Sequence, residues 1–221
     1  MLRLFVRLTM AAIVFMVPAS AWPGSPSAAT IQAIQAASEQ AQQDGDPGGA
    51  MQRLLELRDS LPDGEGAPHA AAFDHAVLSF YAGGFAHMLP DRERALALYF
   101  AAAEGFRSLG PASAGEAALA LDYAAAVLRE TGRLPEAYDT LMASRDLRRE
   151  AGAPVDRNAI NALRLAGSVA YELRDPERIA AELHAAAMIA LRPQDGSHAL
   201  LTAQAAAQAA ELAGWLGVYP L

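Results

Sequence analysis

Small residues return every 42 positions along this chain. Gly83, Ala125 and Gly167 are 42 apart, as are Ala95, Ala137 and Ile179, and so is the larger set Tyr99, Leu141 and Leu183. A period of this size marks stacked two-helix units rather than a single core wrapped around an active site. The expected fold is therefore all-α, an antiparallel helix-pair solenoid with a C-terminal capping helix.

The local sequence agrees with helices throughout. Alanine, leucine, glutamate and arginine dominate after residue 27, and the Val/Ile/Thr alternation of strands is missing. Short breaks rich in Gly, Pro or Asp fall at 44–49, 61–68, Pro90, 109–115, 131–135, 152–154, 174–176 and 193–197. They separate about nine helices, in pairs joined by the tight turns Gly45-Asp46-Pro47, Pro90-Asp91, Gly132-Arg133 and Arg174-Asp175-Pro176. Connections this short join antiparallel neighbours. The first pair, about 28–60, is out of register, with Ala50 preceding Ala95 by 45 residues. A last helix, about 197–214, has no partner after it and reads as the cap. The helical repeat domain thus spans 28–214, followed by an apolar tail, 215–221, expected to fold back on the last helices.

Residues 1–21 have the form of an export signal. Arg3 and Arg7 precede an apolar run at 8–17, Pro18 breaks it, and Ala19-Ser20-Ala21 is the small-x-small site that a signal peptidase accepts. The run is too short to span a hydrocarbon core, which takes roughly 20 residues, so cleavage after Ala21 is expected, without stable membrane insertion. Residues 22–27 form a flexible leader. The chain has no cysteine, which excludes lipid modification at a new N-terminal Cys and excludes disulfides. All 17 basic residues are arginine, a bias of GC-rich bacterial genomes, so the expected location is periplasmic or secreted. Losing Arg3 and Arg7 takes the formal charge from -8 to about -10, which argues against nucleic acid or anionic membrane as a partner.

The repeated residues resemble the tetratricopeptide repeat family, in its longer form with a period of about 42. The best-matching unit runs Leu121-Asp122-Tyr123-Ala124-Ala125-Ala126-Val127-Leu128, then Gly132-Arg133-Leu134-Pro135-Glu136-Ala137, then Leu141 and Ser144. The next keeps Leu163, Ala166-Gly167, Tyr171 and Leu173-Arg174-Asp175-Pro176-Glu177, and the one before keeps Ala82-Gly83, Ala95, Tyr99 and Ala102. Ser79, Leu121 and Leu163 stand where the family has a large aromatic, and Ile179 replaces a small residue. Helices approaching to about 8–10 Å need small side chains where their backbones come closest, the physical basis of the pattern.

The resemblance implies that the first helix of each pair lines a concave groove that meets a ligand. Carried over at the 42-residue step, two ladders cross the stack: Phe80, Asp122, Arg164 and His87, Arg129, Tyr171, with Asn161 one turn from Arg164. Two guanidinium groups beside aromatic and amide side chains suit a peptide carboxylate or acidic segment.

Catalytic signatures are missing from the sequence. There is no Gly-x-Ser-x-Gly elbow, Walker loop or His-Glu-x-x-His, and the five histidines show no metal-ligand spacing. Asp74-His75 and Glu182 near His184 are the remaining metal-ligand candidates, with a packing role as the plainer reading. The paired glycines in Phe80-Tyr81-Ala82-Gly83-Gly84-Phe85 point to close helix packing, or else to a ligand approaching Gly84. The expected function is a non-catalytic exported scaffold that binds a protein or peptide and takes no cofactor. The alternatives are a periplasmic enzyme or small-molecule binder with a pocket between helices, and a self-associating structural protein.

Overall fold

Many of the described helix boundaries fall at the residues that broke the periodic pattern. The computed structural model describes residues 26–62, 68–153, 155–190 and 199–216, and these form nine α-helices and no strand. In chain order they are α1 (Ala28–Asp44), α2 (Pro47–Ser60), α3 (His69–Met88), α4 (Arg92–Ser108), α5 (Ala114–Glu130), α6 (Leu134–Glu150), α7 (Arg157–Glu172), α8 (Pro176–Ala190) and α9 (Ala199–Trp215). A 3₁₀ turn, Pro111–Ser113, precedes α5. The expected signal at 1–21, residues 22–25 of the leader and the tail beyond 216 lie outside the described residues.

Aspartates start α2, α4, α7 and α8, and left-handed residues follow the ends of α1, α5, α6 and α7. Asp46, Asp91 and Asp156 accept from the backbone N–H of Gly49, Arg94 and Ala159 at 2.9, 3.1 and 2.8 Å. Asp175 does the same for Glu177 and Arg178, both at 3.1 Å. Each carboxylate satisfies an orphan donor and meets the positive end of the helix dipole. At the other ends, Gly132 (φ 77°) and Gly152 (φ 63°) adopt left-handed conformations. Around them the N–H of Arg133 reaches back to the Leu128 carbonyl, and that of Ala153 to Arg148, both at 2.9 Å. This is the helix-stopping bond pattern that favours glycine. The same pattern recurs 42 residues after Gly132, where Asp175 N–H bonds the Ala170 carbonyl but the left-handed residue is Arg174 (φ 54°).

The chain divides into two compact units, the first running through Val127 and the second beginning at Leu128. In the first, α3 touches α1, α2 and α4. From Phe73 to Ala86 every residue of α3 but His75 is buried, so this largely apolar helix is enclosed nearly all round, as a central helix is. Its approach to α4 is set by two glycines at opposite ends of the contact. A Cβ on Gly83 would lie 3.0 Å from the Tyr99 ring, and one on Gly105 would lie 3.0 Å from the Ala76 Cβ. Around this seam Phe80, Tyr81, Tyr99 and Tyr123 form a cluster of tilted and edge-on rings, with Phe80 and Tyr123 centroids 5.1 Å apart. Tyr123 is pushed up to about 12, mainly by burial and also by Tyr81 and Asp122. The start of α1 is tied in by Asp74, buried in α3, which accepts from the Ser27 N–H at 2.9 Å.

In the second unit α7 touches α6, α8 and α9, and α8 touches α9. Ala137, Leu141, Gly167 and Ile179 are buried here, while Leu183, in the same 42-residue set as Leu141, is half-buried. The period does not, however, fix what each small residue faces. The nearest atoms to a Cβ on Gly167 belong to Gln208 and Leu212 of α9, at 2.8 and 3.0 Å, whereas Gly83 faces the second helix of its own pair. Gly167 therefore clears space for the last helix.

Candidate functional site

The polar centre of the second unit is built on one carboxylate. Glu182, on α8, is 0% exposed, in a register where the first unit carries Leu98. Its Oε1 accepts from the Tyr138 hydroxyl at 2.9 Å and from Arg145 Nη1 at 3.2 Å, and its Oε2 is paired with Arg145 Nη2. Both partners lie on α6, at positions 138 and 145, two turns apart and hence on one face. The Arg178 guanidinium stacks over the Tyr138 ring, 4.6 Å from its centroid. Burial, then the charge and hydrogen bond of Glu182, hold the Tyr138 hydroxyl well above the ordinary tyrosine value. The buried charge is thus compensated from two directions, as a desolvated carboxylate requires.

Beside this network a cavity of about 460 Å³ opens between α6, α7 and α8. One side of its lining is Arg145, Arg148 and Arg149 of α6, and the rest is apolar or small, including Leu141, Leu163 and Met188. Arg148 is 8% exposed and donates to Ser144 Oγ at 2.5 Å. Arg149, on the exposed side, pairs with Asp146 at 3.0 Å.

The residues expected to line a peptide groove fall in different settings. In the first unit Phe80 is 4% exposed and belongs to the aromatic cluster, and Asp122 is 9% exposed. Both differ from the expectation of exposed positions, because α3 is enclosed all round and the face of α5 that carries Asp122 is covered. His87 is half-buried, edge-on to Tyr99 at 6.4 Å between centroids, and its carbonyl accepts from Arg92. In the second unit Asn161, Arg164 and Tyr171 are exposed along α7. Tyr171 stacks on Trp215 with centroids 4.5 Å apart, which brings the first residue of the apolar tail onto α7. Arg129 donates through Nε to Glu172 Oε1 at 2.7 Å, next to Tyr171.

Of the metal-ligand candidates, Asp74 holds the Ser27 N–H and Glu182 holds Tyr138 and Arg145, while His184 is exposed. Among the described residues no cluster of three His, Asp or Glu is arranged to hold a metal, and no helix is long and apolar enough to cross a membrane. Sequence reasoning missed the arginine-lined cavity. Its one visible trace was the Arg145-x-x-Arg148-Arg149 spacing, which sets three cations on one helix face. Compared with family profiles, curated proteins and solved structures, the chain finds no match.

Proposed function

We propose that this chain is an exported, non-catalytic scaffold, resembling tetratricopeptide repeats, that binds a protein or peptide along the first helices of its pairs. The observation that carries this reading is the order of helix contacts within each unit. In the first, α1 touches its partner α2 and the next first helix α3, and α2 also touches α3. In the second, α7 touches its partner α8 and the next helix α9, and α8 also touches α9. Contacts of each helix pair with its immediate successor are what a solenoid uses in place of a single centre. Exposed Asn161, Arg164 and Tyr171 on α7 supply an amide, a guanidinium and an aromatic face for a partner chain. The signal-like N-terminus supports export.

The test is capture of periplasmic partners on the mature chain, repeated with Arg129→Ala combined with Arg164→Ala. The reading expects defined partners that are lost with the double variant while the helical circular dichroism is kept. Capture of the same partners by both proteins overturns the assignment of the face.

A further inference from the structure

Building on the α7 face as a peptide-binding surface, we propose that its partner is an extended segment carrying an aromatic residue with an acidic residue three positions away. The aromatic residue displaces Trp215, which occupies the same seat from within the chain and holds the partner off.

The face is a straight row. Arg157, Asn161, Arg164, Ser168 and Tyr171 follow one another along α7 at steps of four and three residues, which keeps them on one side of the helix. All are exposed except the half-buried Ser168, whose hydroxyl turns back onto the Arg164 carbonyl at 3.1 Å. The side chains of Arg157, Asn161 and Arg164 have no hydrogen-bond or ion-pair partner among the described residues. Arg129, beside Tyr171, is committed to Glu172 and adds no available cation. On a chain with 25 acidic and 17 basic residues, this row thus holds two unpaired guanidinium groups and no carboxylate. Each can take an incoming carboxylate through charge-assisted bonds.

The aromatic seat is already filled. Tyr171 is 51% exposed, yet the Trp215 ring lies on it, with centroids 4.5 Å apart and planes inclined by 32°. The contact demonstrates that the Tyr171 ring accepts a flat aromatic side chain, and a partner reaching the same ring face has to move Trp215 aside. Trp215 is the last residue of α9, and helix ends open more readily than helix centres.

Spacing sets the rest of the partner. Tyr171, Arg164 and Arg157 are successively two helical turns apart, about 10.5 Å along the axis. A polyproline II segment rises about 3.1 Å per residue and repeats its side-chain direction every third residue, so positions i and i+3 lie about 9.3 Å apart on one side. An aromatic residue over Tyr171 therefore places acidic residues three and six positions away near Arg164 and Arg157, within the play of these flexible side chains. Asn161, between the two arginines, offers an amide donor and acceptor to the segment's main chain. A partner helix fits less well, because the row lacks the apolar knobs that helix packing buries.

The experiment is titration of the mature chain carrying Trp22→Phe, which leaves Trp215 as its one tryptophan, followed by heat and by tryptophan emission. The probe is acetyl-Glu-Pro-Ser-Glu-Pro-Ser-Phe-Pro-Ser-Glu-Pro-Ser-Glu-amide, which presents the spacing in both chain directions. Control peptides replace every Glu by Gln, replace Phe by Ala, or move each Glu one position nearer the Phe. The expected result is one peptide per chain, a red shift as Trp215 leaves Tyr171, and affinity at least tenfold above each control. Arg164→Gln should weaken the probe at least fivefold. Trp215→Ala removes the competitor and should tighten binding at least threefold. Tyr171→Ala should make the Phe and Ala peptides bind equally, an outcome that a general loss of folding would not give. No binding, binding with unmoved emission, equal affinity for the Glu and Gln peptides, or Trp215→Ala leaving the affinity unchanged or lower would each overturn the proposal. Periplasmic partners that are captured, and lost with the double arginine variant, while this peptide fails to bind would leave the scaffold reading standing and overturn this one.

Discussion

The Tyr138 hydroxyl donates to Glu182 Oε1 across 2.9 Å, joining α6 to the one fully buried carboxylate among the described residues. A hydrogen bond to a charged acceptor contributes about 1.5–3 kcal/mol, more than the same bond between neutral groups. Tyr138→Phe is therefore expected to lower unfolding free energy by about 2 kcal/mol in urea titration. Arg145→Ala, which leaves Glu182 without its cation, should cost about 3 kcal/mol. Since both act on one carboxylate, their effects should be non-additive in a double-mutant cycle. Additive losses would mean that the two contacts do not work as a unit.

Arg174 holds the left-handed conformation that Gly132 holds 42 residues earlier. For a residue with a Cβ that conformation costs about 1–2 kcal/mol. Arg174→Gly should raise stability by about 1 kcal/mol, or a thermal midpoint by about 2–4 °C. No gain, or a loss, would show that the arginine side chain stabilises the turn in another way.

Ala137 is 0% exposed at the start of α6, at the small-residue position of the repeat. Ala137→Leu forces three further heavy atoms into a closed seam, with an expected cost of about 1–3 kcal/mol. Thermal melting reads this directly, and an unchanged midpoint would count against the close approach of helices at this register.

Glu116 is buried near the start of α5, and its Oε1 has no hydrogen-bond partner. Burial raises its carboxyl above the ordinary value of 4.5, against a smaller opposing backbone hydrogen bond. A raised folded-state value means that its contribution to stability is complete below pH 4.5 and is lost as pH climbs through the folded value. Glu116→Gln, which stays neutral, should therefore gain on the parent protein as pH rises from 4 to 7, and match it near pH 4. Melting curves across that range check the sign, and a gap that shrinks towards neutrality would refute it.

Trp215 lies on Tyr171, ring centroids 4.5 Å apart. Ending the chain at Gly214 removes this contact, with an expected loss of about 0.5–1.5 kcal/mol for the aromatic pair. Sedimentation should give the same mass before and after truncation. Loss of an oligomer on truncation would instead favour the self-association reading of the tail.

Where many of the helices begin and end was largely legible beforehand. The turns at 45–47, 90–91, 132–133 and 174–176 were written in Gly, Pro and Asp, and aspartates 46, 91 and 175 cap the helices that follow. Less legible was the exposure of Phe80 and Asp122. Stepping by 42 from Arg164 marks equivalent positions, but exposure depends on how many helices surround each one, and α3 is enclosed where α7 is open along Asn161 and Arg164.

The sequence by itself determined the helices, their ends and the spacing of small residues, because caps, left-handed turns and propensities act over a few neighbouring residues. Only the tertiary structure decided that Glu182 meets Arg145 and Tyr138, 37 and 44 residues away, and that Gly167 faces Leu212 while Gly83 faces Tyr99. It also decided that three arginines border an apolar cavity. Such pairings depend on which helices come together in space, and a periodic pattern shows which positions are buried without naming the atoms that bury them.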